Sequence, residues 1–179
     1  MSTTIKQIEG APESYPDAPE NLSTAAAALD PAMIWQRIES YIAHRFSERA
    51  VTWIVEGPGE WCPPLSPATI TEIEIWTGSA WEACEVPSAP LGYVLPGHGP
   101  YRFTGTAGDD DAAVPAVVVE AFRRLAEYAA AKPGKPGATS ESISAGSITL
   151  AHRRSASWMA QAMQNSGAAD LLRPFRRAA

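Results

Sequence analysis

Ala50-Val51-Thr52-Trp53-Ile54-Val55-Glu56 decides the fold class, because Val51, Trp53 and Val55 alternate there with Thr52, Ile54 and Glu56. A period of two sends successive side chains to opposite faces of a strand, so this segment buries one face. The same alternation returns in Ile73-Glu74-Ile75 and in Tyr101-Arg102-Phe103-Thr104. Turn-rich Thr77-Gly78-Ser79-Ala80 predicts a hairpin between strands at 70–76 and 81–86, and Pro96-Gly97-His98-Gly99-Pro100 links 92–95 to 101–106. Between the first two strands, Pro58, Pro63, Pro64 and Pro67 preclude central pairing, and 57–67 reads as a long ordered loop.

Outside this β segment the period becomes helical. Asp30-Pro31 supplies an N-cap acceptor followed by a residue whose missing N–H costs nothing in a first turn. Ile34, Ile38, Tyr41 and Ile42 then form one apolar stripe, which predicts a helix to about Phe46. The alanines at 25–28 either extend this helix backwards or lie in the preceding arm. After Asp109-Asp110-Asp111, Pro115 opens a second helix to about Lys132, with Val118, Phe122, Leu125 and Ala129 on one face. The expected fold class is α+β: a small helical core over 30–131 with an antiparallel β segment inserted at about 50–106, and extended N- and C-terminal arms. Residues 1–29, polar and broken by Pro12, Pro16 and Pro19, read as a flexible arm, and 132–152 as a Gly/Pro/Ser-rich linker.

The last segment, 153–179, reads as a docking helix and tail. A helix from about Ala156 to Asn165 is expected to start at Ser155 and stop at Ser166-Gly167, with a further turn to Leu172 that Pro174 ends. Trp158, Met163, Leu171, Leu172 and Phe175 provide apolar anchors, and Arg173, Arg176 and Arg177 provide charge. The alternative is a C-terminal helix folded back onto its own domain.

Charge sharpens the docking reading. Residues 1–30 carry one Lys against five acids, 31–131 six Arg against thirteen acids, and 132–179 seven basic groups against two acids. An acidic body with a basic tail suits an interaction arm or a solvated tail. The net charge of −6 argues against non-specific duplex binding over the whole surface. Two cysteines, Cys62 and Cys84, are too few for a disulfide framework, and no run approaches the roughly eighteen apolar residues of a membrane span. An intracellular, soluble protein is expected.

Catalytic motifs are missing: the chain has no GxxxxGK[ST], GxGxxG or GxSxG. His44, His98 and His152 share no metal-ligand spacing, and Cys62, Cys84 and His98 lack the close pairs of a zinc site. Asp109–Asp111 suits a divalent cation or, more simply, a helix dipole. Trp53, Trp61, Trp76 and Trp81 suggest a stacking surface for sugar or single strands, or a sheet core, and almost no basic residues lie beside them. The expectation is a non-enzyme with no catalytic residue, cofactor or metal. Competing readings are a small nucleic-acid-binding or regulatory module and a small metal-dependent enzyme.

Three segments carry a family resemblance. Leu29-Asp30-Pro31 to Ala43, Val114-Pro115-Ala116-Val117 to Tyr128, and Asp170-Leu171-Leu172-Arg173-Pro174-Phe175-Arg176 resemble, in order and spacing, the head-tail connector (adaptor) proteins of tailed bacteriophages and phage-derived gene transfer agents. That family is mainly helical, and the long β segment here departs from it. The resemblance implies a structural virion protein, a homo-oligomeric ring of about twelve copies around the DNA channel. Its implied partners are the portal protein and the tail-side neck (stopper) protein. DNA would pass through the lumen without tight binding, past acids drawn from Glu56, Glu60, Glu72, Glu74 and Asp109–Asp111. The implied location is the neck of a virion or gene transfer agent particle assembled in a bacterial cytoplasm. Trp158, Met163, Leu171, Leu172, Arg173, Phe175, Arg176 and Arg177 become the expected portal-docking residues.

Overall fold

The computed structural model describes residues 1–131, 140–145, 148–153 and 158–176. They form an α+β protein of two compact units, one built on Met1–Pro16 and Ala43–Ala113, the other on Asp17–Ile42 and Val114–Arg176.

The first unit is β. Its strands are β1 (Thr3–Glu9), β2 (Arg49–Glu56), β3 (Gly59–Trp61), β4 (Ala68–Trp76), β5 (Trp81–Ala83), β6 (Ser88–Ala89), β7 (Gly92–Leu95) and β8 (Tyr101–Ala107). Five pair antiparallel in the order β1-β2-β8-β4-β5, and three short ones in the order β3-β7-β6. The alternation that predicted β2 and β8 fixes their register: Val51, Trp53 and Val55 stand opposite Gly105, Phe103 and Tyr101, and all six are buried. The core they begin is completed by Trp61, Leu65, Leu95 and Ala107. Gly105 is required there because β4 passes so closely that a Cβ would lie 2.0 Å from the Thr69 carbonyl oxygen, beside the bulge between Ile70 and Glu72.

The second unit is mainly helical: α1 (Thr24–Ala27), α2 (Pro31–Tyr41), α3 (Ala116–Ala130), α4 (Ala162–Asn165), α5 (Ala168–Leu171) and a 3-10 turn, Arg173–Phe175. Asp30 caps α2 by accepting from the Ala32 N–H at 2.9 Å, and Ser23 caps α1 through the Ala26 N–H at 3.2 Å. Ile34, Trp35 and Ile38 of α2 and Val118, Phe122 and Leu125 of α3 are buried, with the Trp35 and Phe122 rings 5.0 Å apart. Two further strands, β9 (Ser140–Ala145) and β10 (Ile148–Arg153), pair with each other, and among the described residues with no other strand.

Five expectations change. The N-terminal arm contains β1 and α1. Its polar composition misled because Thr4, Gln7 and Glu9, opposite Val55, Trp53 and Val51, lie on the core side of β1, while Ile5 and Ile8 are about half exposed. The loop at 57–67 contains β3, whose Trp61 is buried. Helix α2 stops at Tyr41, because Ile42 is extended (φ −118°, ψ 165°) and a bridge from His44 to Ser66 follows. Helix content near 156–165 is confined to α4 after a turn over Trp158–Gln161, while Ser155 and Ala156 lie outside the described residues. The linker at 132–152 carries β9 and most of β10.

Candidate functional site

The C-terminal segment is assembled on α3. Gly167 takes the left-handed backbone (φ +76°) that ends α4, as the Ser166-Gly167 signal predicts, and its N–H reaches the Gln164 carbonyl at 3.0 Å. The turn redirects the chain into α5. Leu172 then sits with no exposed surface, Ala162 and Ala168 likewise, and Met163 is buried at 6%. Tyr128 near the end of α3 holds the other flank: its hydroxyl donates to the Trp158 carbonyl at 3.3 Å and accepts from Asn165 Nδ2 at 3.0 Å, while its ring lies 5.6 Å from the Trp158 indole. Arg37 of α2 donates to the Met159 carbonyl.

This geometry divides the expected docking residues. Met163 and Leu172 are core residues of this chain, so as anchors for a partner they are corrected: the segment has a core to join, and it joins it. Trp158, Leu171 and Phe175 are half-buried. Arg173 and Arg176 are exposed, Arg173 within 3.0 Å of Asp170 and Arg176 with its guanidinium 4.9 Å from the Tyr41 ring centre. Arg177 lies outside the described residues. Tyr41, Tyr128 and Asp170 are the partners that sequence reasoning missed. The available signal was position: aromatics at helix ends facing a tail rich in arginine.

On the same unit, Arg123 and Arg124 both bind Glu120 at 2.7 Å and pull its carboxyl down to about 2. Glu127 accepts the Ser23 N–H at 2.7 Å and hydroxyl at 2.8 Å, and those bonds hold its carboxyl below the usual range. Helix α3 thus ties α1 down at one end while its arginines are neutralised locally.

The β unit holds a second charged cluster. Burial pushes the Glu9 carboxyl up, but hydrogen bonds and charge from Arg45 and Arg49 outweigh it and hold Glu9 below its ordinary value. Arg45 binds both oxygens, the Nη2 contact at 3.1 Å, and Arg49 Nη1 lies at 3.3 Å. Gln7 accepts the Trp53 indole N–H and Thr4 the Trp61 indole N–H, each at 2.9 Å. Trp53 and Trp61 are therefore core. Trp76 and Trp81 stack at 5.4 Å near the sheet edge, with Arg102 4.6 Å over Trp81.

The reactive groups stay dispersed. Burial, then the Arg45 charge, lowers the His44 pKa; burial, then Glu74, raises that of Cys84. His98 contributes its carbonyl to the Gly57 N–H at 2.8 Å and lines an open cavity of about 520 Å³ with Glu56 and Met1. His152 lies on β10. Among the described residues no three His, Cys, Asp or Glu gather as metal ligands. The dipole reading of Asp109–Asp111 is corrected: α3 has no acid in its first turn, and Asp110 instead accepts the Glu48 N–H at 2.9 Å. Among the described residues no helix is long and apolar enough to cross a membrane. No family model matches the chain, and no curated protein matches it.

Proposed function

We propose that this chain is a structural subunit of a head-tail neck, a connector that forms a ring of about twelve copies between a portal and a tail-side stopper. One observation carries the reading. The three segments that resemble the connector family are separated by long stretches of sequence, yet α2, α3 and the Leu171–Arg176 segment lie in a single helical unit, with Trp35 against Phe122 and Arg176 over Tyr41. A shared set of motifs that also shares one packed unit supports common ancestry more strongly than three scattered matches.

In this reading the portal contact is made by the exposed side of the segment, Arg173 and Arg176 with the half-buried Trp158, Leu171 and Phe175, while Met163 and Leu172 hold that surface in place. The duplex would pass acids that attract no phosphate. Of the candidates, Glu74 is withdrawn: it is buried and its carboxylate is bound by Arg102 at 2.6 Å, which lowers its pKa against the effect of burial. Glu56, Glu60, Glu72, Asp109 and Asp111 are exposed and remain, as does Asp110.

The test is reconstitution with a portal protein. Alone, the protein is expected to scatter light as a monomer or weak oligomer; on the portal it should form a closed ring visible by electron microscopy. Absence of portal binding at micromolar concentration overturns the proposal. Micromolar affinity for duplex DNA at low salt would favour the nucleic-acid-binding alternative.

A further inference from the structure

Among the described residues, two parts of the fold lack a partner of the same kind. Strand β1 is there the outer strand of the five-stranded sheet, paired on one side only. The Gly10 N–H reaches the Ala50 carbonyl at 2.8 Å, so, alternating back along the strand, the backbone groups of Glu9 and Gln7 point away from β2. Beside them Ile5, Lys6 and Ile8 are exposed. The regular stretch Lys6–Glu9, which follows a register irregularity between Thr4 and Lys6, presents an edge with apolar neighbours, a template for strand addition. The second part is the β9–β10 ribbon. Its register sets Ile143 opposite Leu150, Ala145 opposite Ile148 and Glu141 opposite His152, and among the described residues no third strand joins it. Two strands alone are marginal in water, and a third with a hydrophobic face makes such a ribbon stable.

We infer that the β9–β10 ribbon of one copy adds to the β1 edge of the next copy, β9 against β1 and β10 outermost, and that this strand addition is the contact between ring subunits. Within one chain the two belong to separate sheets. The choice of β9 follows from charge: it carries Glu141, which suits Lys6 of β1, whereas β10 ends in His152-Arg153. The choice of a second copy follows from geometry. An edge and a ribbon are different surfaces, so each copy offers one and receives the other, the head-to-tail arrangement that closes into rings. Pairing β1 with β1 about its centre would instead set Lys6 against Lys6.

The inference rests on the ring reading, and the experiment separates the two. Full-length Lys6→Cys and Glu141→Cys chains, each also carrying Cys62→Ser and Cys84→Ser so that no native thiol competes, are mixed, assembled on the portal and oxidised, since residues directly opposite across a ladder meet disulfide geometry. The expected product is a covalent dimer of one chain of each kind, with neither variant cross-linking alone. Hydrogen exchange supplies a readout independent of register: the Gln7 and Glu9 amides should exchange freely in the monomer and become protected in the ring. Rings in which those two amides exchange as in the monomer overturn the strand addition and leave the ring standing. Cross-linking of Glu141→Cys with itself overturns it too, by pairing the ribbon with its own kind. Failure to assemble on the portal at all overturns the ring reading and this contact with it.

Discussion

In the β unit, the buried indoles of Trp53 and Trp61 are answered by Gln7 and Thr4 from a strand more than forty positions away in sequence, and the buried guanidiniums of Arg45 and Arg49 by Glu9. In the helical unit, the Trp35 and Phe122 rings lie 5.0 Å apart, and its elements are joined by polar bonds at their ends, Ser23 to Glu127 and Tyr128 to the Trp158 carbonyl. The β unit thus needs polar partners to close its core, because an indole N–H removed from water must be satisfied. Both units hold carboxyls below their ordinary range, Glu9 in one and Glu120 and Glu127 in the other, so the contrast is tested by removing a long-range polar partner in the β unit and buried volume in the helical unit.

The largest effect is expected from volume. Leu172 is fully buried, so Leu172→Ala should destabilise the helical unit by about 2–5 kcal/mol, measured by urea denaturation. Deleting 168–179 removes Leu172 and the buried Ala168 together and should cost more. A truncated chain as stable as the full one would restore the picture of a tail with no core of its own.

A smaller effect should come from Glu9. Glu9→Gln removes the carboxylate that Arg45 and Arg49, both buried, share, and should cost about 1–3 kcal/mol at neutral pH. The sign with pH follows from its lowered pKa. The folded state holds the carboxylate more tightly than the unfolded chain, so its stabilisation is complete above the ordinary value of 4.5 and is lost as pH falls below that value. His44, also lowered, contributes an earlier loss as pH falls through 6.5, since the unfolded chain takes up its proton first. Stability measured from pH 7 to 3 should show both steps in the parent and a shallower second step in Glu9→Gln, the rest of it coming from Glu74, Glu120 and Glu127, whose carboxyls are also held low. A variant with an unchanged acid limb would mean that Glu9 does not link β1 to Arg45 and Arg49.

The same contrast explains what could be read from the chain. Strands β2 and β8 were legible because each alternates apolar and polar and the apolar side is the buried side. Strand β1 was not, because its core-facing residues are Thr4, Gln7 and Glu9; polarity marked it as an arm when it was a set of partners for groups elsewhere. Ile42 and Phe46 continued the helical stripe of α2 and are indeed buried, but on extended backbone and in a bridge region beyond Tyr41. Burial alone does not report period. Ser142 and Ser144 made β9 look like linker, since its apolar positions are few. In the tail, Gly167 was legible because one backbone conformation demands it, whereas the destination of Leu172 depended on a groove that no local pattern encodes.

The smallest effect on folding, and the sharpest on function, is expected at Arg173. Its guanidinium and the Asp170 carboxylate with which it pairs are 79% and 76% exposed, a setting in which an ion pair loses most of its attraction to solvent and ordering entropy. Arg173→Ala should therefore shift stability by no more than about 0.5 kcal/mol. In a purely self-packed tail nothing else would change. If the exposed side of this segment faces the portal, the same substitution removes a charge able to pair with an acid there, and portal binding should weaken measurably in a titration while the urea midpoint stays put. Arg173→Lys, which keeps the charge and loses the planar fork, should fall between the parent and Arg173→Ala if the contact is bidentate. Equal binding by all three chains would remove Arg173 from the docking surface. Leu172→Ala supplies the contrasting case, because there binding and stability should be lost together.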